Sequence, residues 1–263
     1  MADDSKMPLT EHLGELRRRL LISAVVFFAV FCACFYYSGT IFNILVLPMK
    51  FYPKLDLVYP YYHLIRRTHV AELVFLAPAE AFWMYIKISA IAGLIVSLPF
   101  LLLQAWKFVS PGLIKKEKRL VAPFVIGGST LFAAGAAFCY LVVLPFALNF
   151  LLTYQVQYVK PMISVGNYMD FCMKFILAFG IVFELPMFMV LLARMGFVSA
   201  AALAKNRKYA ILAAFIVAAV LTPTPDAFNQ TLMAVPIIVL YEIGIIAARL
   251  FTRKGDTVVQ SGG

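Results

Sequence analysis

The feature that leaves this chain the fewest options is a series of apolar runs long enough to cross a bilayer. The first, LLISAVVFFAVFCACFYY, is Leu20–Tyr37, directly after three arginines. At 1.5 Å per helical residue, about 20 apolar residues cover a hydrocarbon layer roughly 30 Å thick. Phe82–Trp106, Leu120–Leu148 and Tyr168–Ala193 reach that length too. Two shorter runs follow, Tyr209–Leu221 and Leu232–Ala248, joined by TPTPDAF, and they predict that the last two helices are short. The first of these either dips partway into the bilayer or sits where the bilayer thins. With 63% hydrophobic and only 14% charged residues, the chain cannot clothe a water-exposed globule, which carries about 25% charge. The expectation is an all-α polytopic membrane protein with six transmembrane helices.

Charge placement orients it. Sixteen of the 23 lysines and arginines fall in the N-terminus, in 107–119, in 194–208 and from Arg249 onward. The positive-inside rule makes that side cytoplasmic, with both termini on it. The net charge of +10 therefore marks loops and calls for no nucleic-acid partner. Residues 1–19 mix acids and bases without an apolar core, so no cleavable signal peptide is expected. They read as a cytoplasmic amphipathic segment, an interfacial helix with Leu9, Leu13, Leu16 and Leu20 on one stripe. Residues 20–253 then form the membrane domain, with an outer loop at 38–81 and an inner loop at 107–119, and 254–263 a cytoplasmic tail. Pro48, Pro53, Pro60 and Pro78 predict an extended, partly ordered outer loop rather than one long helix. No internal repeat is visible of the kind many transporters carry.

Enzyme chemistry finds little support. No histidine lies in an apolar run, no Gly-rich phosphate loop with a lysine is present, and Cys32, Cys34, Cys139 and Cys172 read as apolar residues without metal spacing. Four other features stand out. Ser129, Ala133 and Ala137, with Gly127, Gly128 and Gly135 nearby, suit close helix packing, either within the chain or against another membrane helix. Glu184 lies mid-run in FELP, where Pro186 should bend the helix and free a carbonyl. An acid at that depth either hydrogen-bonds a neighbouring helix in its protonated form or faces a cavity or partner. Glu15 stands four residues before Arg19 and either pairs with it or serves a ligand. Glu117 interrupts the basic run KKEKRL, where Lys115, Lys116 or Arg119 could simply neutralise it.

EHLGELRRRL, FVSPGLIKKEKRL, FELP and LTPTPDAFNQTLMAVPIIVLYEIGI, in that order, resemble the TatC family over about Leu9–Arg253. That family is the multispanning core subunit of the twin-arginine protein translocase. The resemblance implies no enzyme and no cofactor. It implies a receptor in the bacterial cytoplasmic (inner) membrane that binds twin-arginine signal peptides of folded cargo. It also implies assembly with single-span TatA-type and TatB-type subunits, room for self-association, contact of the loop bases with membrane lipid, and drive by the protonmotive force. By motif match Glu15 and Glu117 receive the signal arginines, a sensible choice because a planar guanidinium binds a carboxylate through two hydrogen bonds where lysine cannot. Phe108, Pro111 and Gly112 shape that site, with Arg17 and Arg19 in the same signal-peptide-binding segment. Glu184, Gln230, Asp226 and Pro48 are expected at partner-helix contacts. Lys118 departs from the arginine more usual there, and the long stretch 50–75 has no role that the family supplies. The competing function is a proton-coupled small-solute transporter using Glu184 and Lys174. It requires a continuous polar path, whereas a receptor presents a shallow concave face open to lipid.

Overall fold

The computed structural model describes residues 9–55, 62–66, 73–109, 121–153, 162–222 and 226–252. Ten α-helices dominate them: α1 Leu9–Tyr36, α2 Ser38–Lys50, α3 Glu80–Val109, α4 Val121–Phe138, α5 Leu144–Thr153, α6 Val165–Phe183, α7 Leu185–Arg194, α8 Ala200–Lys205, α9 Arg207–Leu221 and α10 Ala227–Thr252. A π-helical turn, Cys139–Val143, joins α4 to α5. Five segments are long and apolar enough to cross a membrane: Leu13–Tyr36, Glu80–Phe108, Ala122–Leu152, Val165–Arg194 and Ala227–Phe251. α9, at 15 residues, is about 22 Å long and falls short of an unperturbed bilayer.

Contacts divide the chain into two units. The first holds α1, α2 as far as Phe42, α3 from Tyr85, and α4 as far as Thr130. Within it α1 and α3 run antiparallel. Arg19 meets Gln104, the Phe31 backbone lies against Gly93, and Phe42, just beyond α1, meets Tyr85. A Cβ on Gly93 would sit 3.2 Å from the Phe31 Cα, so the glycine is what lets the two backbones approach. Trp106 packs edge-on against Phe124 with ring centroids 4.5 Å apart, which holds the end of α3 beside the start of α4.

The second unit contains the rest: α2 from Asn43, the first turn of α3, α4 from Leu131, and everything after. Its core is apolar and dense, with Met49, Cys139, Leu144, Met169, Cys172, Phe175, Phe179, Met233 and Ile245 almost wholly buried. Gly135 and Gly180 bring α4 and α6 together. A Cβ on Gly135 would stand 2.6 Å from the Phe179 carbonyl oxygen, and one on Gly180 would stand 2.5 Å from the Phe132 ring. Phe132 and Gly135 are the α4 positions buried against α6, while Ala133 and Ala137 of the small-residue stripe are exposed. α10 lies against α7 and α9.

The outer loop departs from expectation. It holds α2, an antiparallel hairpin of β1 Phe51–Leu55 and β2 Tyr62–Arg66 with Pro53 opposite Leu64, and a short β3 Leu73–Val74 parallel to β4 Ile163–Ser164. Pro48 sits inside α2 and cannot donate to the Ile44 carbonyl one turn back. The Tyr140 hydroxyl donates to that oxygen instead, at 2.7 Å, and Tyr168 does the same for Leu45 at 2.8 Å. A proline that sequence reading treats as a breaker is accommodated because a neighbouring helix supplies the missing donor.

Two observations concern helix ends. α1 runs unbroken through residue 19, so the N-terminal stretch continues directly into the first apolar run. The last helix is not short, contrary to expectation. α10 has 26 residues, because Asp226 caps it, its Oδ1 accepting from the Asn229 N–H at 2.7 Å, and because Asn229, Gln230 and Thr231 continue the helix that apolar counting begins at Leu232. Only α9 keeps the expected shortness. The break expected at FELP is present: α6 ends at Phe183, Glu184 N–H turns back to the Ile181 carbonyl at 3.1 Å, and α7 starts with Pro186 in its first turn.

Candidate functional site

Acids in the two units occupy very different settings. In the first unit, the first turns of α1 expose Leu13 and Leu20, each at 60%, and turn Glu15, Leu16 and Arg19 toward the fold. The Glu15 and Arg19 side chains keep 23% and 21% of their surface. Arg19 Nε donates to Glu15 Oε1 at 3.1 Å, and Nη2 donates to the same oxygen. Arg19 Nη1 reaches across to α3 and donates to Gln104 Oε1 at 3.3 Å. Glu15 Oε2 is buried without a hydrogen-bond partner. Of the two fates open to Glu15, pairing with Arg19 is realised, and it leaves one carboxylate oxygen unserved. Arg17 and Arg18 are exposed.

Position matters as much as pairing. Because α1 and α3 are antiparallel, Glu15 lies at the end of α3 that leads into residues 110–120, and α4 starts beside that end through Trp106 and Phe124. The last turn of α3 and the first turn of α4 therefore lie at the end of the unit that holds Glu15. Phe108 is half-buried in the last turn of α3. Pro111, Gly112, Glu117 and Lys118 lie outside the described residues. A half-buried carboxylate with one oxygen free of donors is equipped to accept hydrogen bonds from a cation. Among the described residues no group of His, Cys, Asp and Glu could hold a metal ion.

The expected partner contacts all fall in the second unit. Glu184 stands at the α6–α7 break, half-exposed, and its Oε1 is buried without a hydrogen-bond partner. Gln230 Nε2 donates to the Phe215 carbonyl of α9 at 3.2 Å, so this amide ties the last two helices together. Asp226 caps α10 and also accepts from Asn229 Nδ2 at 2.9 Å. Pro48 is buried in the core, where any influence on a partner would pass through α2. Lys174 is exposed, while the inward face of α6 is Tyr168, Met169, Cys172, Phe175, Ile176 and Phe179. That face offers no polar path along α6 from Lys174 to Glu184.

Three polar residues escape the sequence reading. Gln104 is the lone amide in PFLLLQAWKF, and a polar residue two positions before the end of the apolar run is the available signal. Glu80, in the first turn of α3, accepts from the Leu76 N–H at 2.6 Å, the Gly166 N–H at 2.8 Å, the Ala77 N–H at 3.3 Å and the Ser164 hydroxyl. It ties the start of α3 to the start of α6, a tertiary pairing no local pattern announces. Glu242, inside the final run, forms a two-point pair with Arg207: Nε to Oε1 at 2.7 Å and Nη2 to Oε2 at 2.8 Å.

The sequence profile of the family described as Sec-independent protein translocase protein (TatC) matches residues 11–236. The Sec-independent protein translocase protein TatC of Desulforapulum autotrophicum is 40% identical over 255 residues, which is 97% of this chain and 89% of that protein. The Escherichia coli protein of the same name is 37% identical over 256 residues, 97% of this chain and 93% of its own. A crystal structure of the twin-arginine translocase receptor TatC superposes with a TM-score of 0.74 at 38% identity, covering 92% of this chain and all of that one. These similarities give the solute-transporter reading no support. The chain belongs to the TatC family of Sec-independent protein translocase proteins, membrane-embedded translocase components rather than enzymes.

Proposed function

We propose that this protein is the signal-peptide receptor of a translocase for folded proteins in a bacterial inner membrane. It would cross the membrane six times, α9 making the short fifth crossing, with both termini in the cytoplasm. The positive-inside distribution of lysines and arginines supports that orientation, in which the Glu15 end of the first unit would face the cytoplasm. There Glu15 and Glu117 would each take one arginine of a twin-arginine signal, with Phe108, Pro111 and Gly112 shaping the approach and Arg17 and Arg19 tuning its charge. Glu184, with Gln230 and Asp226 toward the other face, would meet the single-span TatA-type and TatB-type subunits, and Pro48 would act through the position of α2.

The observation that carries this reading is the half-buried Glu15 carboxylate with a guanidinium already seated on it and one oxygen still unserved. A carboxylate that takes a guanidinium fork from its own chain has the geometry to take one from a visitor. The direct experiment measures binding of two labelled peptides to the purified protein, one with consecutive arginines and one with consecutive lysines. The arginine peptide should bind at least about tenfold more tightly, about 1.4 kcal/mol. Equal binding would overturn the reading.

A further inference from the structure

Arg19 is a cation seated on the carboxylate that the receptor reading gives to a visiting cation. Its Nε and Nη2 both converge on Oε1 of Glu15, while Oε2 stays buried and unpartnered. Its Nη1 already touches Gln104 Oε1, which belongs to a side chain only 8% exposed. We propose that Arg19 is an internal competitor for the signal arginine, and that Gln104 is the acceptor that keeps hold of it once it is displaced. This rests on the receptor reading of Glu15.

The argument is an exchange of hydrogen bonds. The resident guanidinium serves one carboxylate oxygen with two donors, and a buried oxygen without a donor is costly. A visiting guanidinium that approaches as a fork serves both oxygens, so the exchange ends with one more acceptor satisfied. Arg19 does not end stranded, because it swings about its contact with Gln104 rather than leaving it. An ammonium is a point donor and cannot serve both oxygens in that way, so lysine gains less from the same exchange. Arginine and lysine visitors alike must first displace Arg19. The resident pair therefore sets a threshold common to all visitors, and the gain above that threshold separates arginine from lysine. In population terms, only the fraction of receptors with Glu15 released is competent, and apparent affinity falls by that fraction.

The test uses the full-length protein in detergent and the two labelled peptides described above. Arg19→Gln should tighten binding of the arginine peptide and the lysine peptide by the same factor, roughly two- to fivefold for a partly exposed pair, leaving their ratio unchanged. Gln104→Leu should weaken both about twofold in the native background, because the contact is long at 3.3 Å while Arg19 holds Glu15 and shortens once Arg19 is released, and should have no effect once Arg19 is already Gln. Arg19→Lys keeps the charge without the fork and should tighten binding by less than Arg19→Gln, which preserves the test if the larger change impairs folding. Unchanged or weaker binding by both Arg19 variants would overturn the competitor, as would an effect of Gln104→Leu that persists without Arg19. Glu15→Gln separates the two levels. Loss of the arginine peptide keeps the receptor reading whatever Arg19 does, and native affinity removes both that reading and this one.

Discussion

Two carboxylates, one in each unit, each carry a buried oxygen without a hydrogen-bond partner, yet their surroundings differ in kind. Glu15 sits on α1, a helix whose apolar window has no fully buried residue, and it is held by polar contacts to Arg19 and, through it, to Gln104. Glu184 sits at the break of a segment in which 44% of the apolar window is buried, set there by Pro186 and by dense packing around Phe175 and Phe179. The lesson is one of adjustability. A carboxylate positioned by hydrogen bonds on a lightly packed helix can trade partners, whereas one fixed by backbone interruption in a packed core can only wait for a partner to arrive. The first arrangement suits a ligand that comes and goes, and the second a subunit that docks.

The largest effect tests the first half of that contrast. Glu15→Ala should abolish binding of a twin-arginine peptide, a loss of at least about 100-fold, or roughly 3 kcal/mol, as expected on truncating one partner of a buried hydrogen-bonded charge pair. Glu117→Ala should do the same. Peptide binding on the purified variants checks both, and native affinity in the double variant would mean the arginines are read elsewhere. A second test concerns packing: Gly180→Val should destabilise the second unit by about 1–3 kcal/mol, since its Cβ alone would stand 2.5 Å from the Phe132 ring. Thermal unfolding in detergent measures it, and an unshifted transition would show that this helix pair yields more than its geometry suggests.

Legibility in the sequence follows the same divide. Five of the six apolar runs correspond to helices long and apolar enough to cross a membrane, because bilayer thickness sets the length such runs need, and the break at Glu184 follows from Pro186 alone. Local chemistry also explains where the last helix outruns its apolar count. α10 starts at Ala227 because Asp226 caps it, a signal that apolar residues alone do not carry. By contrast, the Tyr140 donation that lets Pro48 sit inside α2, and the joining of α3 to α6 by Glu80, depend on residues 84 or more positions apart. No window of sequence holds both partners. At the Glu15 site the acid and its arginine were readable from i, i+4 spacing, whereas Gln104 entered only when α1 and α3 were seen to be antiparallel.

Glu184 gives the intermediate prediction. Glu184→Ala should leave twin-arginine peptide affinity within about twofold of native, since it lies in the other unit and contributes nothing to the Glu15 network. It should nonetheless reduce co-purification of single-span partner subunits several-fold, because a polar group at membrane depth is worth about 1 kcal/mol to a helix that hydrogen-bonds it. Removing the carboxylate costs the isolated chain no hydrogen bond at the buried Oε1. A variant that binds peptide poorly but keeps its partners would invert the assignment of the two acids. Unchanged co-purification would leave Glu184 a structural feature of the bend.

The smallest effect sharpens what α1 contributes. Val25 is 69% exposed on this helix, and lipid would cover it as well as alanine, so Val25→Ala should change unfolding stability by less than about 0.5 kcal/mol. What holds α1 in the first unit is its inward side, where Gly93 admits the Phe31 backbone and Arg19 reaches Gln104. Gly93→Ala should therefore cost more than Val25→Ala, because the Cβ would press to 3.2 Å on a backbone atom with no side chain to yield. Comparing the two variants by thermal unfolding and by peptide affinity separates the faces of α1. If Val25→Ala lowers either quantity as much as Gly93→Ala does, the outward face is covered by protein rather than lipid, and α1 is not the lightly held helix on which partner exchange at Glu15 depends.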